Sequence, residues 1–168
     1  MKEVRFSNEH PEREIEVVAG FLERPRLWIP TDDYPDFHHW LEKVRDQLFD
    51  NRKRAMVAYV EGEPVGAVVY QRHPDDPTTL QIKNVSVSPD VRSRHFGSFL
   101  LRNAEAEGAG HDFPGCEQVV VDTKMGNREM VAFLLDQHYA VERIADLYGL
   151  NTGLDVVLRK DLPPRADH

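Results

Sequence analysis

Leu80–Gly108 reads LQIKNVSVSPDVRSRHFGSFLLRNAEAEG, and its hydrophobic period changes partway along. Leu80, Ile82, Val85 and Val87 alternate with polar residues as a strand does, with a phase slip between Ile82 and Val85. One extra residue flips the side-chain register, so the slip predicts a β-bulge. From Phe96 to about Glu107 the spacing is helical, with Phe99, Leu100 and Leu101 as core candidates and Gly108 where a C-terminal cap belongs. Between strand and helix lies a turn that carries Arg92, Arg94, His95 and Gly97. The first turn of a helix leaves N–H groups unpaired, and the helix dipole adds partial positive charge there. A strand running through a basic turn into a helix start is therefore an anion site. A diphosphate would accept several charge-assisted bonds, each worth about 1.5–3 kcal/mol net. Gly97 would let the backbone approach such a ligand closely. The stretch matches neither a Walker loop nor GxGxxG. A surface turn with solvated arginines is the plain alternative.

Outward from this stretch, residues 2–7 (KEVRFS) suit a first strand, and Ser7 or Asn8 precedes a helix starting near Pro11. Ile15, Val18, Phe21 and Leu22 give that helix one apolar side. Three prolines make residues 24–36 a loop, after which Asp36 caps a helix whose inner face holds Phe37, Trp40, Leu41, Val44 and Leu48. Ala55–Val60 and Pro64–Arg72 form a hairpin around EGEP, and DDPTT (75–79) makes a further turn. Downstream, EGAGHDFPG is a loop, CEQVVVDT a buried strand and NREMVAFLLDQ a helix. YAVERIADLYG and LDVVLRKDL close the chain as an antiparallel pair. The order β-α-α-β-β-β-α-β-α-β-β implies an α/β fold, with a mixed, mostly antiparallel sheet and helices on both faces, in one domain over residues 1–168.

The 168 residues carry a net charge of −8, which argues against nucleic acid and anionic membrane as partners. The lone Cys116 forms no internal disulfide, and no apolar run reaches the roughly 18 residues that span a bilayer. A cytoplasmic location is the expectation.

VSVSPDVRSRHFGSFLL resembles the central motif of the GCN5-related N-acetyltransferase superfamily, a strand followed by Arg/Gln-x-x-Gly-x-Gly/Ala at a helix start. Arg92 matches the first position and Gly97 the last. Residues 119–141 resemble the second motif: Asn127 and Phe133 fit, Met130 replaces an alanine, and His138-Tyr139 stands for Gly-Phe. The resemblance implies acetyl-CoA as co-substrate, no metal, and an acyltransferase that acetylates a primary amine by direct attack in a ternary complex. It implies that the strands carrying Val87 and Val121 splay at the bulge to admit the pantetheine arm. By position, Val85 would hold the thioester carbonyl and Val87 a pantetheine amide. The backbone of Arg92, Ser93, Arg94, His95, Phe96, Gly97 and Ser98 would wrap the pyrophosphate. Asn127, with Phe133, would touch the arm from the far side.

The chain departs from the motif at two places. His95 replaces its first glycine; if that position needs a positive φ, the side chain costs about 1–2 kcal/mol. Leu134 stands where many members carry the tyrosine that reprotonates the leaving thiolate, with Tyr139 and Tyr148 as substitutes or, more simply, packing residues. A lysine acceptor ionises near 10.4, so freeing its lone pair at neutral pH costs roughly 4–5 kcal/mol. Of the family's two base positions, one is Gln81 here, which takes no proton, and the other is Asp122. Asp122 should face away from Val121 and is the general-base candidate; capping the strand or pairing with Lys124 is its alternative role. Trp28, Asp32, Asp33 and Tyr34 fall where the family builds its acceptor wall, and suit a cationic small molecule or a protein or peptide acceptor; a helix-capping acidic loop pinned by aromatics is the alternative. Cys116 reads as a packing residue, and no histidine pair has ligand spacing. Leu134 and Gln81 leave a second reading open, a module that binds acetyl-CoA for regulation or interaction with little turnover. A domain of this fold that binds no ligand is a third, resting on His95. Pairing of two copies through the C-terminal strands or helices is the expected assembly by analogy.

Overall fold

A computed structural model describes residues 2–7, 12–23, 36–92, 94–147 and 153–164. The elements follow the expected order: β1 (Val4–Ser7), α1 (Glu12–Leu22), α2 (Phe37–Phe49), β2 (Lys53–Val60), β3 (Glu63–His73), β4 (Asp76–Val87), α3 (Phe96–Glu107), β5 (Gln118–Lys124), α4 (Arg128–Asp136), β6 (Ala140–Ala145) and β7 (Asp155–Asp161). The strands form one sheet in the order β1-β2-β3-β4-β5-β7-β6. Every neighbouring pair is antiparallel except β4–β5, which is parallel because α3 carries the chain back across the sheet. The fold is thus the mixed, mostly antiparallel α/β arrangement that the sequence implies.

Strand alternation builds two cores, one on each face. On one face Ala55, Val57, Tyr59, Ala67 and Val69 pack under α1 and α2, against Ile15, Val18, Phe21, Leu41, Val44 and Leu48. On the other Met56, Ala58, Val68, Tyr70, Leu80 and Ile82 pack under α3 and α4, against Leu100, Leu101 and Leu134. Those three leucines are fully buried, each contributing about 1.5–3 kcal/mol of transfer free energy. They fix where the N-termini of α3 and α4 come to rest.

Five local expectations are corrected. The turn before β4 is confined to residues 74–75, and β4 starts at Asp76. The Asp76 carboxylate accepts from the Thr78 hydroxyl (2.7 Å), the Thr79 hydroxyl (2.7 Å) and the Thr78 N–H (3.0 Å), so the side chain itself pins the strand's first residues. Gly108 is not a left-handed cap: its φ of −59° and ψ of −55° continue the helix into a π-helical turn, Gly108–Asp112, where a loop was expected. A Cβ there would lie 2.8 Å from Leu80 Cδ2 and 3.3 Å from Tyr70 Cδ2, so glycine serves close packing. Asp112 anchors the turn by accepting from the Tyr70 hydroxyl at 2.6 Å. Phe99 is 56% exposed and lies beside Phe6 of β1, with ring centroids 5.9 Å apart. Asp36 occupies the N-cap position of α2 but its side chain makes no capping bond.

Candidate active site

The phase slip in β4 is a bulge. Val69 pairs with Asn84 and Tyr70 with Ile82, which leaves Lys83 as the extra residue. At the same level the parallel ladder to β5 stops, its last pair being Ile82 with Val121. Beyond it β4 stays with β3, through Asn84 to Val87, and β5 stays with β7, through Asp122 to Lys124. The two strands therefore diverge, each held by its outer neighbour, and a wedge opens between them. The edge of β4 that faces the wedge carries main-chain groups with no strand to bond. A buried ion pair, Lys124 Nζ to Asp155 Oδ1 at 3.1 Å, fastens the end of β5 to β7. Lys124 is thus engaged by Asp155. Asp122 is half-buried and, by alternation with Val121, lies on the α1/α2 face.

The wedge ends at the start of α3. A 3-10 turn, Pro89–Val91, leads into the basic segment, and His95 occupies the N-cap position with φ 65° and ψ 9°. The position does need a positive φ, so histidine bears the backbone strain named above. His138, at the other position where the family favours glycine, has φ 71°. The His95 side chain makes no capping bond to α3. The first bond into the helix runs from Phe99 N–H to the His95 carbonyl, so the N–H groups of Phe96, Gly97 and Ser98 precede the helical ladder. The helix start thus presents three main-chain donors beside Arg94, which is exposed. Ser93 lies outside the described residues.

Several predicted site residues meet at this point. A Cβ on Gly97 would lie 3.4 Å from the Phe133 ring of α4 and 3.7 Å from Val87 Cγ2 of β4, so α3, α4 and β4 converge there. Val85, Val87, Phe96 and Phe133 are partly buried against the same core. Arg92 turns inward, its Nε donating to the Val87 carbonyl at 3.2 Å, which fastens the basic turn to the end of β4. The Ser98 hydroxyl accepts from Gln137 Nε2 at 3.0 Å. Asn127 is the N-cap of α4, its Oδ1 accepting from Met130 N–H at 3.3 Å.

Gln81 faces the α1/α2 side, two residues before the extra Lys83 of the bulge, and its Oε1 accepts from Gln71 Nε2 at 2.7 Å. Leu134 is fully buried. Tyr139 is buried too, its hydroxyl donating to Glu105 Oε1 at 2.7 Å, and burial with the Glu105 charge pushes its pKa far up. A phenol so placed is a packing residue and supplies no proton to the wedge. Cys116 is buried, and burial raises its thiol pKa, consistent with a packing role. Trp28, Asp32, Asp33, Tyr34 and Tyr148 lie outside the described residues. Among the described residues no three His, Cys, Asp or Glu side chains are grouped to hold a metal ion, and no helix is long and apolar enough to cross a membrane. The reading from sequence missed Gln137, the Lys124–Asp155 pair and the partners of Gln81, all of which depend on contacts between distant segments.

Residues 21–139 match the acetyltransferase (GNAT) family. No curated protein sequence matches the chain. Among solved structures, a protein described as an acetyltransferase of the GNAT family from Desulfovibrio desulfuricans is similar at 12% identity and TM-score 0.74, over 95% of this chain and 99% of that one. The ribosomal-protein-S18-alanine N-acetyltransferase of Escherichia coli aligns at 13% identity and TM-score 0.67, over 98% and 97%. A protein described as a streptothricin acetyltransferase from Bacillus anthracis, solved in complex with acetyl coenzyme A, aligns at 14% identity and TM-score 0.58, over 66% and 63%. At these identities the likeness is one of fold.

Proposed function

The chain belongs to the acetyltransferase (GNAT) family, and from that premise we propose that it moves the acetyl group of acetyl-CoA to a primary amine by direct attack in a ternary complex. The observation that carries this reading is the wedge past Ile82 and Val121, open towards the uncapped start of α3. An extended, amide-bearing arm can pair with the free edge of β4 as an added strand does. A diphosphate suits the N–H groups of Phe96, Gly97 and Ser98, reinforced by Arg94. Acetyl-CoA supplies an acyl thioester, whose carbonyl carbon accepts the amine.

The residues then divide the work. Main-chain donors of Val85 and Val87 orient the arm and hold the negative charge that develops on the carbonyl oxygen. Asp122, on the acceptor side, takes a proton from the incoming ammonium, directly or through water. The new N–C bond forms as the C–S bond breaks. Leu134 is apolar and buried, so no side chain there protonates the sulfur; coenzyme A leaves as thiolate and the second amine proton passes to solvent. Asn127 holds the start of α4 against the wedge, and Phe133 walls its far side.

Thiol release from acetyl-CoA across a panel of amines, with mass spectrometry of the products, tests the reading. Release that depends on the amine is expected. Asp122→Asn should lower kcat/KM by about 100-fold. Binding of acetyl-CoA with no release for any amine would favour a regulatory module instead, the reading to which buried Leu134 and engaged Gln81 lend support.

A further inference from the structure

One polar row crosses the sheet beside the wedge. Lys53 of β2 pairs in register with Gln71 of β3, and Gln71 with Gln81 of β4. Lys53 is only 4% exposed. Its Nζ donates to Gln71 Oε1 at 2.8 Å, and Gln71 Nε2 donates to Gln81 Oε1 at 2.7 Å. No carboxylate meets the Lys53 ammonium among the described residues.

The direction of this row follows from its first member. An ammonium has donors and no acceptor, so it meets only the oxygen end of the Gln71 amide. Gln71 must then turn its NH2 group to Gln81, and Gln81 must answer with its oxygen. The one part of the Gln81 side chain left unspent is an NH2 group, for which the described residues offer no acceptor. Burial, then the charges of Lys83 on β4, Lys43 on α2 and Arg52 beside β2, lower the Lys53 pKa to about 8. Lys53 therefore still holds its proton at pH 7.

We infer that Lys53 is a positioning residue for acceptor choice: through Gln71 it makes Gln81 present a hydrogen-bond donor, which selects amines with a carbonyl or carboxylate oxygen on the carbon next to the nitrogen. Amino acids and peptide N-termini fit this description. Polyamines do not, since they bring only further N–H groups and positive charge towards Lys53 and Lys83. The inference rests on the acetyltransferase reading, in which Gln81 stands beside the acceptor.

The test compares two acceptors with the full chain and saturating acetyl-CoA: an alanyl peptide with a free N-terminus, and spermidine. Wild type should prefer the peptide by at least about tenfold in kcat/KM, the worth of one net hydrogen bond. Lys53→Met should bring that ratio near one, through the peptide KM and with kcat little changed. Lys53→Arg, still a donor without an acceptor, should keep the preference. Gln71→Leu interrupts the same row at a less buried position and should act like Lys53→Met, which covers the case in which Lys53→Met does not fold. A wild-type ratio at or below one, or a ratio untouched by interruption of the row, overturns the inference alone. A chain that acetylates neither amine overturns this inference and the acetyltransferase reading together.

Discussion

The N-termini of α3 and α4 are finished differently. α4 is closed by its own Asn127, whose side-chain oxygen takes the Met130 N–H, with Glu129 in the first turn. α3 takes no capping bond from its N-cap residue His95 and has no acidic residue in its first turn; instead it has Arg94 beside it and a histidine in the left-handed region before it. An uncapped start forgoes about 0.5–2 kcal/mol, and the strained His95 adds to that. A helix end in this condition suits an outside anion. On the proposed function, the contrast is between a terminus that serves the fold and one that would serve a ligand.

Giving α3 an acid of its own is the sharpest way to break the contrast. His95→Asp should weaken acetyl-CoA binding by about 10- to 100-fold, the loss of one or two charge-assisted bonds. It should not destabilise the fold, because a carboxylate at a helix N-terminus contributes about 0.3–1 kcal/mol. Calorimetric titration and urea unfolding measure the two effects; a variant with unchanged affinity would mean that the α3 start is not the anion site. Opening α4 has the opposite signature. Asn127→Ala should cost about 1 kcal/mol in urea unfolding, whereas Asn127→Asp, which keeps the capping oxygen, should stay within about 0.5 kcal/mol of wild type. Equal stability of the alanine variant and wild type would contradict the capping role.

His95→Gly sharpens the comparison more gently. Glycine relieves the positive φ but frees the unfolded chain, so a net gain below about 1 kcal/mol is expected. A clear loss of stability would show that the imidazole contributes to the turn. The smallest effect belongs to the other end of β4, which is closed by its own groups. Bonds from the Thr78 hydroxyl, the Thr79 hydroxyl and the Thr78 N–H hold the Asp76 pKa down at about 2, from an ordinary 3.8. The folded state thus favours the carboxylate. This stabilisation is fully present above the ordinary value and disappears as pH falls towards 2. Asp76→Asn should flatten the stability profile in that acid window, and an unchanged profile would remove Asp76 as its cause.

Much of the arrangement was legible in the sequence. The slip between Ile82 and Val85 located the bulge because side-chain alternation is strictly two-fold. The helix over 96–107 followed from the same stretch, and the site of the wedge from the family resemblance that the stretch carries. What escaped depends on contacts between distant residues. Gly108 reads as a cap until Leu80 and Tyr70 are seen pressing on it. Phe99 fits the helical core pattern, yet the inner positions are filled by Leu100 and Leu101, and Phe99 turns to Phe6. The row from Lys53 to Gln81 spans three strands whose mutual register no local pattern reveals. Neither does any local pattern tell that Gln137 would reach across to Ser98.

On the proposed function, the N–H groups of Phe96, Gly97 and Ser98 receive a coenzyme's diphosphate. Backbone amide NMR during titration with coenzyme A tests it most directly. Large shifts at Phe96, Gly97 and Ser98, with the capped Met130 amide of α4 moving far less, are the predicted result. Saturation with coenzyme A that leaves those three amides in place would contradict it.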